Sequence, residues 1–460
     1  MKRLIAFLLT IVFLTCAHTA FAESAAVLEH AQWSTGEDIE FIQKHQLTAT
    51  KEWLSGNGGS LEDLENLGDA GYETDAVSEK ITDEALQEAG LNVLSVSPDG
   101  QTILLEKDGS LLLMRGNQLS TVSMDLTRCE PSEQEGLLLA CRFVSEQVLQ
   151  DEGIGRAGIL WSPDGKYALI SNATSSLMRM KNSFGLLWLD AENSKMYMAS
   201  PGSLSFGFGR GDTGTIVMHK CADTADGYVY GTIYGNLNGG SGLQICRWAP
   251  GAAEHETLGM TDAVFCCEGM GFDAEHHLCM LVQADGDRRL LEWSPESGIS
   301  MGEVIPDYLL PQYLEVTPLC TILSTVKNDE TNLPVQYIRK DGNFSRLIVE
   351  KGQNTARIEP LEADTPPKEE GLTILNAVLT SDGGQAMLCC RDEDGSYCFY
   401  LMDTDSFELT EMDASPIQEL LDQDPCFAFE KNRRPCFTGG DRYYLIPFQD
   451  GNTVLCDVLQ

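Results

Sequence analysis

Through most of the chain, apolar residues fall in short runs broken by clusters of Asp, Gly, Ser and Asn, without the sustained three-to-four-residue spacing of an amphipathic helix. Such runs, bounded by turn residues, predict β-strands joined by tight turns. The runs also repeat. LNVLSVSPDGQTILLEKDGSLLLM at 91–114 recurs in outline as RAGILWSPDGKYALISN at 156–172 and as ILNAVLTSDGGQAMLCCRDEDGSYCFYLMD at 374–403. A weaker copy, EGMGFDAEHHLCMLVQADGDRRLLEW, occupies 268–293. Each copy reads as a strand, a tight turn, a second strand, a turn holding Gly or Asp, and a third strand. In the first turn, proline pre-sets the backbone, aspartate bonds its own main chain and glycine takes the positive dihedral that returns the chain. Ser97-Pro98-Asp99-Gly100 and Ser162-Pro163-Asp164-Gly165 are the clearest cases.

Between the copies, the segments 215–248 and 317–350 keep the same strand grammar around Asp226-Gly227 and Asp341-Gly342, and 435–459 supplies the last hairpins. Signature turns or their equivalents near 97, 162, 212, 273, 317, 381 and 432 imply about seven units, within a range of six to eight. The predicted fold is all-β, a β-propeller of four-stranded blades. The strand-SPDG-strand unit, with Gln101 or Lys166 after the glycine, resembles the TolB-type repeat, a relative of the WD-type blade. That resemblance implies a propeller and leaves its function open.

The first residues differ. Lys2 and Arg3 precede an apolar run from Leu4 to Leu14, and Ala20-Phe21-Ala22 offers the small-x-small pattern read by signal peptidase. Residues 1–22 are therefore read as a secretory signal cleaved between Ala22 and Glu23, the run being well short of the roughly 20 residues that span a bilayer. Residues 23–90 read as a partly helical N-terminal extension, with a capping arrangement of Ser60 and Asp63 and a second helix from Thr82 to Ala89 ending at Gly90. The propeller is assigned to 91–460. No later segment suits a membrane span, so the expected location is periplasmic, cell-envelope or extracellular.

Charge narrows the partners. The chain holds 31 Lys and Arg against 70 Asp and Glu, a net charge of −39, and signal removal takes two basic groups and no acid. Nucleic acid needs a basic stripe, and the densest basic cluster is Lys431, Arg433 and Arg434. Nucleic acid and anionic membrane surfaces are discounted.

Of 15 cysteines, Cys16 lies in the signal. Cys129 and Cys141 flank a polar loop and are a candidate disulfide. The neighbours Cys266-Cys267 and Cys389-Cys390 would point to opposite faces of their strands. No CxxC or HExxH motif points to a metal, His276-His277 falls in a hairpin turn, and no cofactor is predicted. Asp392, Asp394 and Gly395 lack the acid spacing of a calcium loop and read as a hairpin.

Catalytic motifs are also missing. Gly239-Gly240-Ser241-Gly242 fails the GxSxG nucleophile pattern, and no span is left for a hydrolase domain. Trp161, Trp188, Trp248 and Trp293 stand near strand ends, as packing residues between blades would. Aligning the innermost strands of the copies places Asn92, Arg156, Glu268 and Asn376 at their starts, where they could contribute to a polar ring at one channel mouth. The function expected is a non-catalytic binding or scaffold propeller for a protein, peptide or glycan. The rival is a hydrolase or lyase acting on carbohydrate or peptide with carboxylates from different blades.

Overall fold

The computed structural model describes residues 26–33, 81–88, 90–107, 110–115, 118–125, 159–171, 186–198, 216–222, 226–237, 240–252, 254–340, 342–363, 365–368, 370–422, 425–427, 434–448 and 452–458. It is a seven-bladed β-propeller. The innermost strands, in blade order, are Asn92–Val96, Ile159–Trp161, Ile216–Ala222, Val264–Phe272, Leu309–Val316, Thr373–Leu379 and Cys436–Thr438. From each, the chain meanders outward through antiparallel neighbours.

The alternation of side chains across each strand makes the ring. Leu104 packs toward blade 2 while its neighbour Leu105 packs toward blade 7. Ile170 faces blade 1 and Leu169 blade 3. Cys389 faces blade 7 and Cys390 blade 5, as their adjacency in a strand requires. The result is seven apolar clusters, one at each junction between blades. The four tryptophans singled out from the sequence belong to these clusters.

The signature turn is built alike in three blades. Ser97 Oγ donates to Asp99 Oδ1 at 2.6 Å, Gln101 N donates to the same oxygen at 3.0 Å, and Gly100 takes φ +70°. Ser162 and Asp164 repeat it at 2.7 Å, with Gly165 at φ +67°. In blade 6, Thr380 plays the serine's part, donating to Asp382 Oδ1 at 2.8 Å. Ser381 thereby occupies the proline position and, unlike proline, keeps an N–H to give away.

The expected turns near 212 and 432 lie outside the described residues. In blade 3 the inner strand ends at Ala222 and the chain returns past Gly227, as the strand grammar around Asp226-Gly227 implied. In blade 7 the return is made by Gly439 and Gly440, both at positive φ. In both, glycine takes the positive dihedral beside an aspartate: Asp226 Oδ1 accepts from Tyr228 N at 2.8 Å, and Asp441 follows Gly440.

The ring is closed by residues read from sequence as extension. Glu29–His30 pairs antiparallel with Thr453–Asp457 as the outermost strand of blade 7. Ala26–Val27 lies parallel to the outer strand of blade 6, Leu409–Asp413. Gln32–Trp33 pairs with Ile81–Thr82, which leads into the helix Asp83–Glu88, inside the predicted 82–89. Asp83 docks that helix on blade 7, its carboxylate accepting from Leu455 N at 3.0 Å. Among the described residues no helix is long and apolar enough to cross a membrane.

Candidate functional site

The inner strands present one open backbone edge toward the axis, so the groups that satisfy those edges define the channel wall. From blade 7 to blade 2 the wall is closed by neutral hydrogen bonds. Thr438 Oγ1 accepts from Val96 N and donates to Val96 O, each at 2.8 Å. Trp161 Nε1 donates to Ser95 Oγ at 3.0 Å, which lies 3.3 Å from Thr438 Oγ1.

From blade 5 to blade 7 the wall carries charge. Leu379 N, on the inner strand of blade 6, donates to Glu315 Oε2 on the inner strand of blade 5 at 3.1 Å. Glu315 follows the alternation of LLPQYLEV, between the buried Leu314 and Val316. Two residues earlier, Tyr313 offers its ring to the Arg434 guanidinium of blade 7, centred 3.0 Å away. Burial pushes the Glu315 carboxyl up to about 7, against the lowering effect of Arg434 and the Leu379 N–H, and Asp441 adds to the rise.

Asp441 itself stands in the glycine turn of blade 7 at φ +68°. Its Oδ2 accepts from Ser381 N at 2.8 Å and from Ser381 Oγ. That N–H is the one Pro98 and Pro163 lack. Burial raises Asp441 as well, despite the two bonds from Ser381.

Beside this sector, between blades 4 and 5, the channel is pinched. The inner strands of blades 4 and 5 meet at a parallel bridge, Glu268 to Tyr313. A Cβ on Gly269 would stand 1.7 Å from Leu314 O, and one on Gly271 2.0 Å from Val316 O. Glycine there lets two backbones touch.

The sequence-derived candidates are placed as follows. Asn92 donates to Glu106 Oε2 at 3.1 Å within blade 1. Glu268 lies on the inner strand of blade 4 at the bridge to Tyr313. Asn376 is 0% exposed on the inner strand of blade 6, and its Nδ2 and Oδ1 have no hydrogen-bond partner among the described residues. It shares strand parity with Val378, which packs toward blade 7, the side from which Arg434 comes. Arg156, the Cys129–Cys141 pair, the Ala22–Glu23 cleavage site and the Ser60–Asp63 capping pair lie outside the described residues.

Tyr313, Glu315, Arg434 and Asp441 were not found by sequence reasoning. An acid between buried apolar neighbours in LLPQYLEV was an available signal for Glu315, and Arg434 had already been noted, but only as part of a basic cluster. Away from the axis, Asp273, Cys279 and Glu292 bring donor atoms together in blade 4. Arg339 already occupies Glu292 at 3.0 Å, which fills the group with an internal cation.

No family model and no curated protein matches the chain. Among solved structures it is similar to the oligogalacturonate lyase of Vibrio parahaemolyticus, at 12% identity over 85% of this chain and 96% of that one, with a TM-score of 0.45. TolB from Acinetobacter baumannii is similar at 11% identity, 85% and 86% coverage and a TM-score of 0.34. Dipeptidyl peptidase 4 of Porphyromonas gingivalis is similar at 10% identity, 79% and 48% coverage and a TM-score of 0.39. The likenesses decide nothing about its ligand or chemistry.

Proposed function

We propose that the chain is an extracytoplasmic, non-catalytic binding propeller that takes a peptide, protein or glycan partner at the axial sector of blades 5 to 7. The observation that carries this reading is the convergence of Tyr313 and Glu315 of blade 5, the inner-strand backbone of blade 6 and Arg434 of blade 7 beside the axis. Arg434 on an aromatic face suits a carboxylate or a polar hydroxyl group. The basic-then-apolar start of the sequence supports export. The acid excess, 70 against 31, disfavours a polyanionic ligand.

One observation favours an enzyme instead. A carboxyl held at about 7 is suited to exchanging protons at neutral pH, and Asp441 stands close enough to shift it. This is the second reading, a hydrolase or lyase using Glu315 as its acid or base.

One experiment separates the two. Peptide and glycan arrays probed with wild type, Glu315→Gln and Arg434→Ala should give ligands that bind wild type and lose at least about tenfold in affinity with either variant. Mass spectrometry of the bound ligand then discriminates: an intact ligand supports the binding propeller, and a cleaved one the enzyme. Ligands that bind all three proteins equally would remove the axial sector from both readings.

A further inference from the structure

Blade 6 sets two cysteines directly opposite each other. Cys390, in the strand Gln385–Arg391, is the register partner of Cys398, in Tyr397–Asp403. Residues opposed in an antiparallel pair share a face. Both belong to the cluster between blades 5 and 6, Cys390 wholly buried and Cys398 at its margin. Cys389 is on the other face, toward blade 7.

The hydrogen-bond alternation fixes how far apart the two strands hold them. Asp392 N donates to Ser396 O at 3.1 Å at one end of the hairpin, and Thr404 N donates to Gly384 O at 3.0 Å at the other. Stepping by two residues along both strands from either end places Cys390 and Cys398 at a hydrogen-bonded pair. Such pairs have Cα atoms about 5.5 Å apart, inside the usual range for a disulfide. Their Cβ atoms, about 5 Å apart, must close to about 4 Å for the bond to form. The bond can therefore be made with a movement of about 1 Å, and the strain it keeps makes it reducible.

We propose that Cys390 and Cys398 form a reversible thiol–disulfide pair, closed by a disulfide-bearing oxidant and reopened by a dithiol. Cys398, the partly exposed member, attacks one sulfur of the external disulfide as thiolate, releasing one thiol and leaving a mixed disulfide. Cys390 then gives up its proton and attacks Cys398 Sγ, forming the cross-strand bond and expelling the second thiol. Two cysteine thiols are oxidised by two electrons, and one external disulfide becomes two thiols that carry away both protons. Burial raises both thiols, with Lys351 easing Cys398 downward against Asp392 and Glu411. Exchange accordingly quickens as pH rises, because the thiolate is the attacking form.

The test uses the full chain, reduced, then equilibrated with glutathione at stepped ratios of oxidised to reduced form, quenched, alkylated after unfolding and mapped by peptide mass spectrometry. The expected result is the loss of the Cys390 and Cys398 thiols to alkylation, with their two peptides linked, reversed by dithiothreitol and formed faster at pH 9 than at pH 7. Cys390→Ser, confirmed as folded by circular dichroism, should instead accumulate glutathione on Cys398. Cys398→Ser should give neither linked peptide nor adduct at Cys390. If both thiols stay alkylatable in the folded wild type at every ratio, or Cys398 links to a different cysteine, the proposal is overturned.

Discussion

Glu315 concentrates the residue-scale physics. Its ordinary value of 4.5 rises to about 7 in the folded chain, with burial as the main cause. The folded state therefore holds this proton more tightly than the unfolded one. Stability from the group is complete below its unfolded value and is lost as pH climbs from there through about 7. Glu315→Gln keeps an oxygen for Leu379 N and removes the titration. It should raise the urea midpoint at pH 8, by a gain on the order of 1 kcal/mol, and change it little at pH 4. Equal shifts at both values would mean that burial is not what holds the proton. At this scale the sequence was only partly informative. Asn92 and Asn376 could be seen at the starts of strands, but that Asn92 would spend its amide on Glu106 while Asn376 would not depends on what lies on the next strand. Ser381 shows the same limit: its N–H matters only because Asp441 arrives from blade 7.

At the scale of elements, legibility followed turn chemistry. Where Ser or Thr, Asp and Gly act together, the turn and its two strands could be read directly, as at 97–100 and 162–165. Where the Ser-Asp pairing is missing, as at Gly439 and Gly440, the glycines mark a turn but not its place in a blade until the strands are paired. The short strands Ala26–Val27 and Glu29–His30 were illegible for another reason. Two residues carry no periodicity, and their partners lie near the far end of the sequence. Leu28, between them, is 0% exposed in the cluster of blades 6 and 7. Leu28→Ala should cost about 2–5 kcal/mol in urea unfolding, out of proportion to a residue flanked by such small strands. A loss under about 0.5 kcal/mol would show that the N-terminal strap adds no stability.

For the whole molecule, the repeat argument located the propeller because each copy must bury two faces, and only a closed ring provides a neighbour for every face. Net charge acts on the same scale. At −39 the chain repels itself, and the repulsion is screened as the Debye length falls from about 30 Å at 0.01 M salt to about 3 Å at 1 M. Raising sodium chloride across that range should lift the thermal midpoint by a few degrees, and a fall would show that ion pairs such as Arg339–Glu292 outweigh the repulsion.

The strand that seals blade 7 has a consequence in time. Glu29 must find Asp457, so an early segment waits for a much later one before either edge is covered. Blades 1 to 5 can assemble from neighbouring sequence as it emerges, whereas blades 6 and 7 wait for Ala26–Val27 and Glu29–His30, the latter by the longest loop closure among the described strands. Maturation is thus gated at its final step, and an interrupted chain would be left with an unsealed edge, open to pairing with a second copy.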